Sequence, residues 1–401
     1  MISVCVIGLG YVGLPICIQL AKKFNVVGFD IDKNRIKNLI KRYDSNNVFK
    51  KKEIGKKIKF TNSEKKIKDC NFFIICVPTP VKKNKSPNLK PVEKSFTTIK
   101  NVIKKNDIIV MESTVYPGIT EKNSNYLEKK TGLISKKDFF LCYSPERINP
   151  GSNENLKKID KILAINTNKP KIRKTIIKVY KNLGKKLIIT NNIKEAETAK
   201  VIENIQRDMN IAFFNQILII CKKLNLNFKE VINLASTKWN FLKFNPGLVG
   251  GHCLPVDPYY LSYLAKENNI KFDLILGSRK INNFMKQFII KIIENHFNSS
   301  KIISSKKKVL LLGITYKYGV SDLRNSLSLD IYNELNKKKI NTYAFDPYCT
   351  NTKIKLIKNT SLVKKDSIIV PLIKGIKIYK FLKKFKNNKN YTVIDPFCYY
   401  T

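Results

Sequence analysis

The residues most able to do chemistry cluster in the segment Gly247-Leu248-Val249-Gly250-Gly251-His252-Cys253-Leu254-Pro255-Val256-Asp257. Glycines free the backbone around a thiol, so Cys253 can approach a substrate carbon, and cationic neighbours such as Lys200 favour the thiolate that is the nucleophile. Asp257, four residues on, can orient a water or hold a proton. A buried structural cysteine is the plainer alternative, but it leaves the glycines without a purpose. His252 adjoins the cysteine, and adjacent side chains diverge, so it reads as a positioning residue. Lys200 and Asn204 lie four apart in a helical stretch and share one face, where an ammonium and an amide can hold a developing oxyanion. Lys200 on its own fits a surface lysine equally well. Glu146, in Tyr143-Ser144-Pro145-Glu146-Arg147 after an apolar run, is a candidate acid or base, against a solvated loop carboxylate.

A second set of residues points to a nucleotide cofactor. Gly8-Leu9-Gly10-Tyr11-Val12-Gly13 is a G-x-G-x-x-G turn between a strand and a helix, where free N–H groups and the helix dipole receive a pyrophosphate. Asp30, seventeen residues after Gly13, ends the next strand. An acid there hydrogen-bonds the ribose hydroxyls and repels a 2′-phosphate, which favours NAD over NADP. Arg35 follows where it can flank the adenosine. Cys76-Val77-Pro78-Thr79-Pro80 and Glu112-Ser113-Thr114 end two further strands, and ligands of open α/β sheets bind beyond such ends, so Pro78, Thr79, Pro80 and Thr114 are expected to line the cleft. Lys317, and Arg324 just before a helix, suit a second phosphate-bearing ligand. Two nucleotide-type pockets with a cysteine between them call for a substrate that itself carries a nucleotide.

These residues need a frame, and buried strands alternating with helices supply one. Ile2–Ile7, Asn25–Asp30, Phe72–Val77, Ile108–Met111 and Phe139–Cys142 read as strands, and Val12–Lys23 as the first helix. The pattern predicts an α/β fold of doubly wound parallel sheets. From Ile193 to Leu224 the spacing is helical without Gly or Pro, long enough to bridge domains or support a dimer. Further helical segments run to about Phe297. After a polar stretch, Lys308–Gly313, Asn325–Leu335, Ile340–Phe345, Ser367–Val370 and Tyr391–Ile394 form a second strand and helix series. The expected organisation is a Rossmann domain over 1–190, a central helical region with one long helix over 191–300, and a second Rossmann-like domain over 301–401.

Global composition narrows the function classes. Nine cysteines are scattered, odd in number and never spaced C-x-x-C, which argues against a disulfide framework or a zinc site, and no metal is expected. No leader-like segment or membrane-length apolar run is present, so a cytoplasmic protein without membrane insertion is the expectation. The net charge of +46 suggests a polyanion partner, but the lysines are spread along the chain without a basic, aromatic-interleaved helix. Compositional drift accounts for it better than nucleic-acid binding, although the charge still attracts an anionic substrate.

The motifs VIGLGYVGLP, CVPTP, ESTVYPG, SPERINPG, KVIENIQRDMNIAFFNQ, PGLVGGHCLPVDPYYL and GITYKYGVSDLRNS occur in this order. In them the chain resembles the UDP-glucose / UDP-N-acetylhexosamine 6-dehydrogenase family over essentially its whole length. Within that family it is most similar to the Vi-antigen type, which acts on UDP-N-acetylglucosamine or its epimers for surface polysaccharide. The resemblance implies a four-electron, NAD-dependent oxidation at C6 through a thiohemiacetal and a thioester on Cys253. It implies that Lys200 and Asn204 hold the C6 oxygen, Asp257 assists proton transfer, Glu146 serves hydrolysis, and Thr114 touches both ligands. Arg147, Gly250 and Lys317 are placed on the substrate, with Arg279 and Trp239 added from their positions near the cysteine loop, and Arg324 reaches NAD. Pro150 stands where the UDP-glucose branch carries a second glutamate, which favours an acetamido sugar. The long helix implies a homodimer, and any tail after the last strand is short. A UDP-glucose or UDP-N-acetylmannosamine enzyme is the near alternative. More distant are a two-electron β-hydroxyacid-type dehydrogenase, which needs neither Cys253 nor the second α/β unit, and a non-enzymic NAD sensor, which has no reason to keep Lys200, Asn204, Cys253 and Asp257 together.

Overall fold

The computed structural model describes residues 1–55, 57–147, 159–299, 308–350 and 353–400. Pro150 lies outside them. The chain divides into two compact units, one of Met1–Glu203 with Tyr259–Asn268, the other of Asn204–Pro258 with Asn269–Thr401.

The first unit is built on eight strands, β1 (Ser3–Ile7), β2 (Asn25–Phe29), β3 (Lys59–Thr61), β4 (Phe72–Ile75), β5 (Ile108–Met111), β6 (Phe140–Tyr143), β7 (Lys161–Ile165) and β8 (Leu187–Thr190), in the order β3-β2-β1-β4-β5-β6-β7-β8. Helices α1 (Gly13–Leu20), α2 (Lys33–Ile40), α3 (Lys90–Lys100), α4 (Ile119–Thr131) and α5 (Pro170–Tyr180) cross between strands. Successive strand residues face opposite sides, so Val4 and Val6 enter one core with α1, α2 and α5, while Cys5 and Ile7 enter another with α3 and α4. Near-continuous apolar strands result from that double burial. The strand order reverses at β1, leaving a switch point between β1 and β4, where such sheets bind ligands. The sheet is parallel except where β7 runs antiparallel to β6, pairing Cys142 with Ile165 and Tyr143 with Ala164.

Helix α6 (Ile193–Lys223) runs 31 residues and contributes to both units. The second unit continues through α7 (Phe228–Ala235), the start of α8 (Asp257–Glu267) and α9 (Asp273–Ser299) to a parallel sheet. That sheet has β9 (Lys308–Leu312), β10 (Asn341–Phe345), β11 (Ser367–Pro371) and β12 (Tyr391–Val393) in the order β10-β9-β11-β12, with α10 (Leu327–Lys337) and α11 (Ile376–Leu382). Phe214, Leu218 and Cys221 of α6, spaced as one helix face, pack with Met285, Ile289 and Ile293 of α9 against one side of it. The predicted start of α10 at Asn325 moves to Leu327: Asn325 has φ +52°, and Ser326 caps the helix, its Oγ accepting from Leu329 N at 3.3 Å.

Candidate active site

In the first unit the glycine turn leaves β1 and enters α1 at the switch point. Gly8 has φ +91°, and a Cβ there would lie 2.8 Å from the carbonyl oxygen of Cys76. A Cβ on Gly13 would lie 1.8 Å from the oxygen of Gly8. The protein's own packing therefore requires both. Gly10 differs, because a Cβ there meets nothing within 4 Å. Its bare backbone faces open space, next to the half-buried Tyr11 and to Val12, which gives α1 no side-chain cap. An uncapped helix N-terminus beside an open glycine fits the pyrophosphate of NAD. Asp30 fastens the turn: its carboxylate accepts from Leu9 N at 2.8 Å and from Asp32 N at 2.9 Å. Arg35 is held from three sides, its Nε donating to Leu9 O at 2.9 Å and its Nη1 to Asp44 at 2.7 Å and Ser45 at 2.9 Å. Its Nη2 is buried and has no hydrogen-bond partner among the described residues.

Pro78 and Thr79 follow β4, and the hydroxyl of Tyr260 donates to Thr79 O. Thr114, half-buried, follows β5. Glu146, beyond β6, is 8 % exposed, and its Oε2 accepts from Lys161 Nζ at 3.0 Å. Lys161 also donates to Glu112 at 2.6 Å, and Tyr180 donates to the other oxygen of Glu112 at 2.7 Å. Burial pushes the Glu112 carboxyl up to about 7, against the opposing pull of the Lys161 ammonium. Burial works against the charge of Lys161, but the two carboxylates outweigh it and hold the ammonium well above its ordinary range. Arg147 forms a two-pronged ion pair with Glu203 of α6, Nη2 to Oε1 and, at 3.3 Å, Nε to Oε2. Lys200, buried, is one turn before Asn204 on α6.

In the second unit Asn204 Nδ2 donates to Asp257 Oδ2 at 2.5 Å, and Asp257 is 2 % exposed. The backbone N–H groups of Val256 and Asp257 donate to Cys253 O at 2.9 and 2.8 Å, so the cysteine carbonyl is tied to the first turn of α8. Of the nine cysteines Cys253 is the exposed one. The glycines ahead of it have a packing reason: a Cβ on Gly250 would lie 2.6 Å from Asn325 O, and Gly251, at φ +87°, packs against the ring of Tyr316. Asn325 Nδ2 donates to Gly251 O at 2.9 Å.

His252 Nε2 lies 3.4 Å from Asp322 Oδ2, and Arg324 donates to the same carboxylate through Nε at 3.0 Å and Nη2 at 2.7 Å. Burial opposes ionisation of Asp322, but His252 and Arg324 prevail and hold its carboxyl well below the usual range. Thus His252 positions the loop through Asp322, a residue whose role sequence reading missed. Lys317 is half-buried after β9, and the side chain of Arg324 is 53 % exposed. Arg279 requires a correction. Expected against the substrate, it is 2 % exposed on α9 and donates to Asp208 of α6 at 2.6 Å and to Asn283 at 2.8 Å, bracing two helices. Its position near the loop in sequence suggested contact, but helix phase turns it inward. Trp239 is 88 % exposed.

The sequence reading gave no role to Glu112, which it placed at a strand end, and did not single out Lys161. A lone lysine in so basic a chain carries no local signal. The apolar neighbours of Lys161 in Ile159–Ile165 were the one available hint.

Comparison with known proteins adds three consecutive matches to domain models of one family. These are the UDP-glucose/GDP-mannose dehydrogenase family's NAD binding domain over residues 2–184, its central domain over 194–284 and its UDP binding domain over 310–396. The chain is 41% identical over 357 residues to UDP-N-acetyl-D-glucosamine 6-dehydrogenase of Pseudomonas aeruginosa, covering 86% of this chain and 83% of the relative. It is 41% identical over 352 residues to the protein of the same name from Salmonella typhi, covering 86% and 82%. Among solved structures it is similar to UDP-D-ManNAc dehydrogenase from Pyrococcus horikoshii, with a TM-score of 0.86 and 30% identity over 98% of this chain and 95% of that one.

Proposed function

From the premise that the chain belongs to the UDP-glucose/GDP-mannose dehydrogenase family, we propose that it oxidises the C6 hydroxyl of UDP-N-acetylglucosamine, or its galacto epimer, to the uronic acid for surface polysaccharide. Two NAD molecules, bound in succession, would each take up one of the two hydrides that this four-electron oxidation releases. Gly8, Gly10, Tyr11, Val12 and Gly13 cradle the NAD pyrophosphate, Asp30 addresses the adenosine ribose, Arg35 flanks the adenosine, and Pro78, Thr79, Thr114 and Arg324 line the site. The single observation that carries the covalent route is the exposure of Cys253, the one cysteine of nine so presented, with its carbonyl tied to the turn that carries Asp257.

In this reading Lys200 and Asn204 hold the C6 oxygen as charge develops on it. The Cys253 thiolate adds to the C6 aldehyde to give a thiohemiacetal, whose oxidation leaves a thioester. Asp257, hydrogen-bonded to Asn204 at 2.5 Å, moves the proton. Water then attacks the thioester with Glu146 as base, releasing the uronate and the thiol. Arg147, Gly250 and Lys317 bind the substrate. The domains follow the same division: cofactor over 1–190, helical middle over 191–300, UDP-sugar over 301–401. A homodimer through α6 and a cytoplasmic location complete the proposal; among the described residues no helix is long and apolar enough to cross a membrane.

The acetamido sugar is preferred because two of the relatives at 41% identity carry that specificity in their names. A site shaped for an acetamido group leaves polar groups unpaired when a hydroxyl replaces it, at about 1–3 kcal/mol each. UDP-glucose is therefore expected to be at least about tenfold poorer in kcat/KM. Comparing kcat/KM for UDP-N-acetylglucosamine, UDP-N-acetylgalactosamine, UDP-N-acetylmannosamine and UDP-glucose, with two NADH formed per sugar, tests both substrate and reaction. A first rank for UDP-N-acetylmannosamine or UDP-glucose overturns the substrate, and one NADH per sugar overturns the covalent route.

A further inference from the structure

We propose that Lys161 is a positioning residue for hydrolysis of the Cys253 ester, clamped by Glu112 so that its ammonium fixes the carboxylate of Glu146 that activates the water. The proposal rests on the reading of Glu146 given above. Its physical basis lies within the first unit.

The β6–β7 pairing is the one antiparallel step of the sheet. Continuing its register three residues past Tyr143 sets Lys161, the first residue of β7, opposite Glu146. A parallel β7 would have brought its last residue to this edge instead. The lysine stem then passes Gly184, where a Cβ would stand 3.0 Å from Lys161 Cγ, so the neighbouring turn is cut back to admit it. The ammonium sits between two carboxylates, 2.6 Å from Glu112 and 3.0 Å from Glu146, while Tyr180 fixes the far oxygen of Glu112. Lys161 and Glu112 are each 1 % exposed, whereas Glu146 is 8 % exposed at the edge of the cluster.

Stability alone does not explain this arrangement. Apolar side chains of similar volume are often as stable as a buried ion cluster, because desolvation offsets the Coulomb gain. What the cluster supplies is a fixed direction for the Glu146 carboxylate, held at Oε2 by the Lys161 ammonium. In the step it serves, the water oxygen bonds to the thioester carbon, the C–S bond breaks with its electron pair going to the Cys253 thiolate, and Glu146 takes the water's proton. Both NADH have already formed.

Rapid mixing of enzyme with NAD and UDP-N-acetylglucosamine separates NADH formation from hydrolysis. Lys161→Met is expected to keep a first-turnover burst of two NADH per site, then run at least tenfold slower than wild type. The acyl adduct on Cys253 should accumulate, visible by intact-protein mass. Lys161→Arg, which keeps the charge, should recover most of the steady rate. Glu146→Gln in parallel separates the two ideas. Adduct in Glu146→Gln but not in Lys161→Met overturns the positioning role alone, and no adduct in Glu146→Gln removes the reading on which it rests. A Lys161→Met burst reduced in step with the steady rate means a scaffold residue and also overturns it. Should Lys161→Met not fold, Tyr180→Phe removes a single hydroxyl from the clamp: a few-fold slower hydrolysis behind an intact burst supports the proposal, and an unchanged rate overturns it.

Discussion

Eight of the nine thiols are partly or wholly buried, and burial pushes Cys5, Cys17, Cys76 and Cys142 above the ordinary thiol range. Those four stay protonated and inert, whereas Cys253 is the one thiol of the nine that is exposed and so open to a substrate carbon. Cys253→Ala is expected to abolish uronate formation while NAD binding stays within about twofold, because the glycine turn belongs to the other unit. Cys253→Ser should trap an ester of added mass. Uronate formed by Cys253→Ala at near wild-type rate ends the covalent route. The loop that carries this cysteine is tied by the contact of His252 Nε2 with Asp322 Oδ2 at 3.4 Å, so part of its order comes from a residue about seventy positions away.

At the scale of elements, the glycine turn separates two demands that one sequence motif merges. Gly13 is required by packing, since its Cβ would overlap Gly8 O at 1.8 Å, whereas Gly10 has room. Gly13→Ala is therefore expected to destabilise the first unit by about 1–3 kcal/mol or more, as overpacking does. Gly10→Ala should melt near the wild-type temperature but bind NAD at least about tenfold more weakly, because its methyl takes up space the pyrophosphate needs. Calorimetry of both variants, with NAD titration of each, checks the pair. Equal loss of stability, or full NAD affinity in Gly10→Ala, contradicts the assignment of Gly10 to the cofactor. The strands were legible to within one or two residues, because burial on both faces writes unbroken apolar runs such as Phe72–Ile75. Strands β3, β7 and β8 were not: β3 is three residues long with one buried, the apolar run of β7 opens on the charged Lys161, and β8 leaves Ile188 and Ile189 exposed.

For the whole molecule the charge of +46 sets the long-range field. Both NAD and a UDP-sugar are anions, and a strongly positive protein concentrates them at low ionic strength. The KM for the UDP-sugar is expected to rise severalfold from 0.02 M to 0.5 M salt, as the Debye length shrinks, with kcat little changed. A KM flat across that range shows that the lysines act only locally. A sedimentation mass at twice 46.3 kDa checks the homodimer, and a single-chain mass excludes it.

Much of this protein was determined by local sequence. The turn at Gly8–Gly13 with Asp30, the long α6 carrying Lys200 and Asn204, and the loop of Cys253 and Asp257 each lie within a short span. Glycine freedom, helical spacing and strand burial are physical constraints that act over such spans. Tertiary structure decided the rest. It turned Arg279 inward onto Asp208, made Arg35 a brace of the glycine turn, and set Lys161 opposite Glu146 with Glu112 behind it. Those partners lie 71, 26, 15 and 49 positions apart. A charged side chain carries no mark of its partner in the local pattern. Strand direction and register choose the partner, and they emerge only when the sheet has formed.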